Sequence, residues 1–268
     1  MHDTAIIIFT YQRIISSINI LDALVGIGKS VFVFHDYSGS KSNLILKEKL
    51  LKYDYINLIV RNKNFGLKNN LISGITEVCK NHKRFIVIED DLVVNKSLIK
   101  QFIKVLKKHE NDESLFEVSS FPFIGNNNRN YPIKLPVGTS WLWGSWPNRW
   151  TLFMNFIEKP ISLSILEKAK LDFYFRYPFS YLYYLEQKDS ISSWAIYKHI
   201  FMYKNNYKCL YFNSGMFSFQ DDISSSSTHG ENNFEISKFN TDWKKNLVYL
   251  SKQNRFINFL KFVKSCLK

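Results

Sequence analysis

The sequence RFIVIEDDLVV, residues 84–94, is the most informative part of this chain about its fold. We predict a strand over residues 84–94, because the apolar run 85–88 has the length of a strand and a run that is apolar on both faces is typical of the centre of a parallel sheet. The run stops at three acids, Glu89, Asp90 and Asp91. Because ligands of open α/β sheets bind at the carboxyl ends of the strands, we expect these acids to border a cleft.

Similar patterns on both sides of this stretch predict an α/β protein with a mainly parallel central sheet. Short apolar runs that indicate strands cover residues 4–11, 30–40 and 56–62. Apolar residues at helical spacing indicate helices over residues 14–24, 65–82 and 97–109. Strands that alternate with helices favour crossover connections and therefore parallel pairing. Beyond about residue 115 the sequence is richer in loops and aromatic residues.

The three acids also carry a chemical expectation. Adjacent carboxylates repel one another, and a divalent cation removes that repulsion while it bridges to phosphate oxygens. In a continuous strand, Glu89 and Asp91 would share one side of the sheet and Asp90 would point to the other. Acids after a strand can also cap the next helix or lie in solvent, so the pattern alone leaves both interpretations open.

Composition restricts the class of protein. The chain has 268 residues, of which 46% are hydrophobic, and this is typical of one large folded domain. Its net charge of +13 predicts an anionic partner: nucleic acid, an acidic membrane or a phosphorylated substrate. Cys79, Cys209 and Cys266 have neither disulfide nor zinc spacing, which favours a reduced, cytoplasmic setting. No apolar run reaches the roughly 20 residues that span a bilayer, so we expect any membrane contact to be peripheral.

The segment FIVIEDDLVVNKSLIKQFIKVL, residues 85–106, resembles the metal-binding segment of GT-A glycosyltransferases. It is particularly similar to the segment of the N-acetylglucosaminyltransferase I family and of bacterial relatives in surface-polysaccharide loci. TAIIIFTYQR (4–13) and RNKNFGLKNNLISGI (61–75) resemble the first strand and third helix region of the same fold, in the same order. The resemblance implies a GT-A (Rossmann-like) α/β fold and a nucleotide-sugar donor, for which we expect a UDP-sugar.

The resemblance also implies roles for individual residues. Asp91 would hold Mn²⁺ or Mg²⁺, while Glu89 and Asp90 would face the ribose and the donor sugar. The other residues that would border the nucleotide are Thr10, Arg13, Asp36, Asn64 and Gly66.

Four tryptophans lie within ten residues in GTSWLWGSWPNRW, residues 138–150. Sugars present apolar C–H faces that stack on aromatic rings, so we expect one or two of the four to line the sugar site. Trp143 and the nearby Arg149 are assigned to the donor pocket. A core position for any single tryptophan, and a solvated position for the arginine, remain open alternatives.

The segment ISSWAIYKH, residues 191–199, resembles a family segment in which an Asp precedes the Trp. An inverting transferase needs a carboxylate there to deprotonate the acceptor hydroxyl. This chain has Ser192 and Ser193 instead, and serine is not a base at neutral pH without another group to activate it. We therefore predict Asp189 as the catalytic base, with Glu186 as the alternative.

The C-terminal part carries two further expectations. His229, in SSSSTHG, is similar to a C-terminal element of the bacterial relatives and would complete the metal shell or hold the diphosphate. Residues 243–268 contain seven Lys or Arg and no acid, with apolar residues at helical spacing. This pattern predicts a basic amphipathic helix that binds an anionic membrane surface.

These expectations combine into one functional prediction. Residues 1–242 form a single GT-A catalytic domain, with a nucleotide-sugar-binding half (1–115) and an acceptor half (116–242), followed by the basic helix 243–268. The predicted enzyme is a hexosyl- or N-acetylhexosaminyltransferase that modifies a lipid-linked glycan in bacterial surface-polysaccharide synthesis, at the inner face of the cell membrane. A nucleic-acid-binding protein and a nucleotidyltransferase are the alternatives; the first gives the acids no role, and the second normally has a Gly-rich phosphate loop early in the chain.

Overall fold

A computed structural model describes residues 2–28, 30–39, 41, 44, 47–48, 50–120, 132–175, 178–212 and 218–219. These residues form ten strands: β1 (His2–Thr10), β2 (Ser30–His35), β3 (Ile56–Val60), β4 (His82–Glu89), β5 (Leu92–Val93), β6 (Leu115–Ser119), β7 (Ile133–Leu135), β8 (Trp143–Ser145), β9 (Lys208–Tyr211) and β10 (Ser218–Phe219). Seven helices lie wholly within the described residues: α1 (Ile14–Leu24), α2 (Gly66–Cys79), α3 (Lys96–Lys108), α4 (Pro147–Ile157), α5 (Ile165–Phe175), α6 (Phe179–Gln187) and α7 (Trp194–Lys204).

Eight of the strands form one central sheet in the order β3-β2-β1-β4-β8-β6-β9-β7. The strands β3, β2, β1 and β4 are parallel to one another, and so are β6 and β9. Within the described part of this central sheet, only β8 and β7 run antiparallel to their neighbours. The predicted α/β fold with a mainly parallel central sheet is therefore confirmed.

The two central strands explain why the sheet forms here. Residues 5–8 of β1 and residues 85–88 of β4 are fully buried, because helices cover both faces of the sheet. Alternate strand residues pack against α1 and α3 on one face and against α2, α4 and α7 on the other. A third apolar cluster joins α5, α6 and α7.

The acidic stretch departs from a continuous strand. β4 ends at Glu89, and Asp90 and Asp91 form a turn before β5. β5 leaves the central sheet and pairs with β10 in a separate two-stranded sheet. The predicted strand over residues 84–94 is therefore interrupted at the position where the acids begin.

The chain reverses its strand order between β1 and β4. From β1 the chain passes to β2 and β3 on one side, then crosses back and adds β4 on the other side. In open α/β sheets such a reversal leaves a crevice at the carboxyl ends of the two strands. Thr10 ends β1 and Glu89 ends β4, so both residues border this crevice.

No helix in the described part of the chain is both long and apolar enough to cross a membrane. Residues 1–115 and 116–242 both contribute strands to the same sheet. Their division into a nucleotide-sugar-binding half and an acceptor half stays a prediction. The predicted basic helix 243–268 lies outside the described residues.

Candidate active site at the carboxyl edge of the sheet

Arg13 and the acids after β4 meet across the crevice. Arg13 lies between β1 and α1, and its Nη1 donates to Asp90 Oδ1 at 3.0 Å. The same Nη1 lies 3.5 Å from Asp91 Oδ2. These side chains keep only 13–20% of their surface exposed. One guanidinium therefore holds both aspartates of the turn at the end of the central strands.

This contact differs from the alternation expected of a strand, in which Asp90 would point away from Asp91. The turn removes the alternation, because β4 ends one residue before Asp90. Both aspartate side chains then reach the same arginine.

The acids are held in an environment that opposes their negative charge. Burial raises the pKa of Glu89 well above its usual range, and the neighbouring Asp91 and Asp90 raise it further. Burial likewise raises the pKa of Asp90 to about 6, although the charge of Arg13 lowers it in part. Since crowded, desolvated carboxylates favour protonation, a bound cation would favour their ionised forms.

The acids fit a divalent cation that is shared with a ligand. Among the described residues, no three His, Cys, Asp or Glu side chains form a ready metal cluster. Mg²⁺ and similar hard cations are usually held by one or two carboxylates together with phosphate oxygens and water. Asp91, with Asp90 beside it, offers such oxygen ligands. His229, the second predicted metal ligand, lies outside the described residues.

The predicted nucleotide-binding residues after β1 and β2 lie side by side. Thr10 Oγ1 and His35 Nδ1 are hydrogen-bonded at 2.9 Å, and both residues are buried. Asp36 follows directly, and its Oδ1 accepts from the backbone N–H groups of Tyr37 at 2.9 Å and Phe65 at 2.8 Å. Asp36 therefore fixes the start of α2 against the end of β2.

Asn64 and Gly66 shape the loop that leads into α2. Asn64 Oδ1 accepts from the Gly66 N–H at 2.8 Å, and Asn64 Nδ2 donates to the Tyr11 hydroxyl at 3.4 Å. Gly66 has φ of +70°, a left-handed conformation that favours glycine. The loop is thereby tied to the segment after β1, on the border of the crevice.

The structure places Trp143 in the core, where the sequence prediction placed it in the donor pocket. Trp143 is fully buried and stacks on Trp194 with ring centroids 5.2 Å apart. Trp146 and Trp150 are also buried, whereas Trp141 is half-buried. β8 pairs antiparallel with β4 so that Trp143 faces Val87, and Trp141 precedes β8 by two residues, on the side where β4 runs on to its carboxyl end. Trp141 is therefore the tryptophan of this group that borders the crevice.

Arg149 also lies away from its predicted place. Its side chain is buried and donates to the backbone carbonyls of Leu115 and Glu110, each at 3.4 Å. Leu115 begins β6, so these contacts lie at the amino edge of the parallel strands. A donor bound at the carboxyl edge lies at the other end of those strands.

The two candidate bases occupy different environments. Glu186 is buried; one carboxylate oxygen pairs with Lys68 Nζ and the other accepts from the Ser193 N–H at 2.7 Å. Asp189 is exposed in the turn between α6 and α7, with φ of +52°. Lys68 belongs to the first turn of α2, so the Lys68–Glu186 contact holds the Asp189 turn beside the carboxyl edge of the sheet.

A buried ion pair behind the crevice was missed at the level of sequence. Lys198 Nζ donates to Glu117 Oε2 at 2.7 Å and to the Thr139 carbonyl, and both charged residues are fully buried. Glu117 Oε1 accepts from the Thr139 N–H at 2.9 Å, and Thr139 Oγ1 accepts from the Trp141 N–H at 3.2 Å. The pair therefore holds the segment that presents Trp141. A lysine among the apolar residues of WAIYKHIFM was the available signal, but its partner lies 81 residues away.

Comparison with known proteins supports the fold. No protein-family model matches the chain, and no curated protein matches its sequence. The structure of GalNAc-T7 with UDP, GalNAc and Mn²⁺ is similar, with a TM-score of 0.50, 8% identity and coverage of 79% of this chain and 42% of that chain. A putative nucleotide-diphospho-sugar transferase from Desulfovibrio desulfuricans G20 has a TM-score of 0.39, 10% identity and coverage of 56% and 65%. A TarS structure from S. aureus has a TM-score of 0.41, 16% identity and coverage of 57% and 48%.

The chain thus spans less than two thirds of each of these three proteins. At such identities the likeness shows the fold alone. This chain and the GalNAc-T7 structure share the same kind of α/β fold.

Proposed function

We propose that this chain is a metal-dependent glycosyltransferase that moves a hexosyl or N-acetylhexosaminyl group from a UDP-sugar to a glycan. The observation that carries the proposal is the meeting of Arg13 with Asp90 and Asp91 at the strand-order reversal. Such a reversal is where open α/β sheets bind nucleotides, and the side chains there suit a diphosphate and a divalent cation. The more specific resemblance to the N-acetylglucosaminyltransferase I family rests on the order of the sequence motifs.

In this proposal the donor lies along the carboxyl edge of the central strands. Thr10 and Asp36 border the nucleoside, because they end β1 and follow β2. The loop at Asn64 and Gly66 closes the same side. Arg13 lies where its guanidinium can bind diphosphate oxygens, which suit its fork of N–H donors.

Asp91 would hold Mn²⁺ or Mg²⁺ together with the diphosphate, and Asp90 and Glu89 would face the ribose and the transferred sugar. When bound, the cation would stabilise the negative charge that develops on the departing diphosphate. Arg13 supports the same charge from the protein side, and the proposed His229 contact would add to it.

The proposed reaction is a displacement at the anomeric carbon with inversion. The acceptor oxygen forms a bond to that carbon, the bond to the diphosphate oxygen breaks, and the UDP leaves with the bonding electron pair. The acceptor proton passes to a carboxylate, for which Asp189 is the better placed candidate because it is exposed. Glu186 would first have to release Lys68 or the Ser193 N–H.

Trp141 supports the sugar-binding part of the proposal. It keeps some exposed surface and precedes β8 on the side of the carboxyl end of β4, so a sugar C–H face could stack on its ring. We further propose that the acceptor is lipid-linked, in bacterial surface-polysaccharide synthesis at the cytoplasmic face of the membrane. The net charge of +13 and the basic segment 243–268 support contact with an anionic surface.

The test is donor hydrolysis across a panel of UDP-, GDP-, CDP- and dTDP-sugars, with Mn²⁺, with Mg²⁺ and with a chelator. The expected result is release of free sugar from one UDP-sugar that stops when the metal is removed. An Asp54→Ala variant, which changes an exposed aspartate elsewhere, serves as the control and should hydrolyse the donor like the wild type. Absence of donor turnover and of nucleotide binding across the whole panel would contradict the proposal.

A further inference from the structure

Lysine makes up most of the outer face of α3. Along its thirteen residues the inward arc packs in the core through Leu98, Ile99, Phe102 and Leu106. The outward arc holds Ser97, Gln101 and five lysines: Lys96, Lys100, Lys104, Lys107 and Lys108. At 3.6 residues per turn, the five lysines fall within about 120° of the helix circumference and extend over about 18 Å of its length.

This charge is not balanced locally. The helix contains no acid, and none of its lysines belongs to an ion pair formed by the described residues. Lysines four residues apart, such as Lys100 and Lys104, repel each other along a helix. An ordinary solvated face mixes both signs of charge, and its i,i+4 pairs then stabilise the helix. The α3 face instead concentrates one sign at a cost to the helix, which is typical of a surface that meets an anion.

We propose that the lysine face of α3 binds an anionic phospholipid bilayer. A straight row of exposed ammonium groups is complementary to a flat surface that carries many phosphates. The same layer of the molecule also exposes apolar side chains, with Ile15 66% exposed, Val25 50% and Val93 45%. Positive charge beside exposed apolar groups is the composition of interfacial surfaces.

The make-up of the face argues against nucleic acid as its partner. Proteins that follow single strands stack bases on aromatic rings, and the one aromatic side chain of α3, Phe102, is buried. Base reading in a duplex commonly uses arginine forks, and α3 contains no arginine. Lysine acts as a point charge, which suits attraction to a surface without a fixed register.

The position of α3 connects this surface to the crevice. Lys96 begins the helix five residues after Asp91. Contact along α3 would therefore hold the carboxyl edge beside the bilayer, where a lipid-linked acceptor would lie. Only this last step rests on the proposed function; the lipid contact itself does not.

The test is co-sedimentation of the full chain with vesicles of equal parts phosphatidylglycerol and phosphatidylcholine, and with vesicles of phosphatidylcholine alone. The variant changes the four exposed lysines Lys100, Lys104, Lys107 and Lys108 to Gln. Lys96 stays, because its Nζ lies 3.4 Å from where a Cβ on Gly26 would stand, against the turn after α1. The matched control changes four exposed lysines on the opposite face of the sheet and on α5, away from the carboxyl edge: Lys80, Lys83, Lys159 and Lys170.

A lysine near such a surface contributes about 1 kcal/mol, or about fivefold in partitioning, before screening by salt. We expect the α3 variant to bind phosphatidylglycerol vesicles at least about tenfold more weakly, and the control variant to bind within about twofold of the wild type. The control lysines lie across the sheet from α3, so physiological salt screens them from a bilayer that contacts α3. The α3 variant should keep the wild-type urea midpoint and nucleotide binding.

Three outcomes would overturn the proposal. They are equal weakening by both variants, unchanged vesicle binding by the α3 variant, and wild-type binding to soluble polyphosphate but not to vesicles. If the wild type did not bind UDP, the proposed function would be contradicted, whereas the conclusion from vesicle binding would not change.

Discussion

Among the individual side chains, Asp91 has the most specific proposed role. Asp91→Ala should lower the rate of metal-dependent transfer by roughly 100-fold or more, because it removes the proposed metal ligand. This corresponds to an increase of about 3 kcal/mol in the activation free energy. The affinity of the variant for UDP, measured by isothermal titration calorimetry, should also no longer depend on Mn²⁺. Full activity of Asp91→Ala in chelator-treated buffer would show that the metal mechanism is wrong, whereas Asp54→Ala should behave like the wild type.

Asp189 and Glu186 can be separated by what each substitution disturbs. Asp189→Asn should lower kcat by roughly 10²–10⁴-fold and leave donor KM nearly unchanged, because it removes the charge of the proposed base and keeps the size of the exposed side chain. Glu186→Gln should instead lower stability by about 2 kcal/mol, because it loses a charged hydrogen bond to Lys68. Steady-state kinetics and urea unfolding on the same samples give both readouts.

Wild-type turnover by Asp189→Asn would eliminate that residue as the base. If Glu186→Gln were also active, the segment that contains both candidate residues would supply no base. The anomeric configuration of the product, determined by NMR, would then decide between inversion and retention.

The sequence allowed the acids to be located but not their geometry. A run of four apolar residues before three acids is a local signal, and it correctly indicated a strand end. The direction of Asp90 depends on where β4 stops, and that end is set by pairing with β1 and β8, which no local pattern reports. Trp143 begins β8 and Trp141 lies two residues before it, so composition could not separate the buried ring from the half-buried one.

At the scale of elements, the Lys198–Glu117 pair joins α7, β6 and the segment that presents Trp141. Lys198→Met should destabilise the protein by about 3–5 kcal/mol, since it leaves Glu117 buried without its cation. The double variant Lys198→Met, Glu117→Gln should recover much of that loss, because removal of a whole buried pair is often near neutral. Urea unfolding followed by tryptophan fluorescence measures both effects.

The control for this pair lies on the same helix. Lys204 pairs with Glu167 at 2.8 Å near the surface, so Lys204→Met should cost less than about 1 kcal/mol. Equal losses for Lys198→Met and Lys204→Met would contradict the assignment. If the pair positions Trp141, the refolded double variant should also bind the acceptor more weakly while it binds UDP as before.

Elements with strong periodicity were predictable, and short or fully buried ones were not. The helix expected over residues 14–24 is α1, and α3 is close to the expected 97–109, because each packs one face on the sheet. β7, β8 and β10 have only two or three residues and exist through their partners. α7 is buried on several sides between two apolar clusters, which hides the amphipathic pattern that identifies a surface helix.

For the molecule as a whole, the net charge of +13 makes nucleic acid the partner that competes with a nucleotide donor. The change in Tm on adding each ligand distinguishes these two partners. UDP with Mn²⁺ at about 100 times its Kd should stabilise the folded chain by about 2.7 kcal/mol. For a chain of this size that corresponds to an increase in Tm of about 5–10 °C. A chelator, or Asp91→Ala, should abolish the increase, because both remove the proposed link between diphosphate and carboxylate.

A single-stranded oligonucleotide at the same nucleotide concentration should leave Tm within about 1 °C, since an open basic surface gives weak contacts that salt screens. An increase with the oligonucleotide and none with UDP would reverse the assignment, and the acids after β4 would then need a structural explanation.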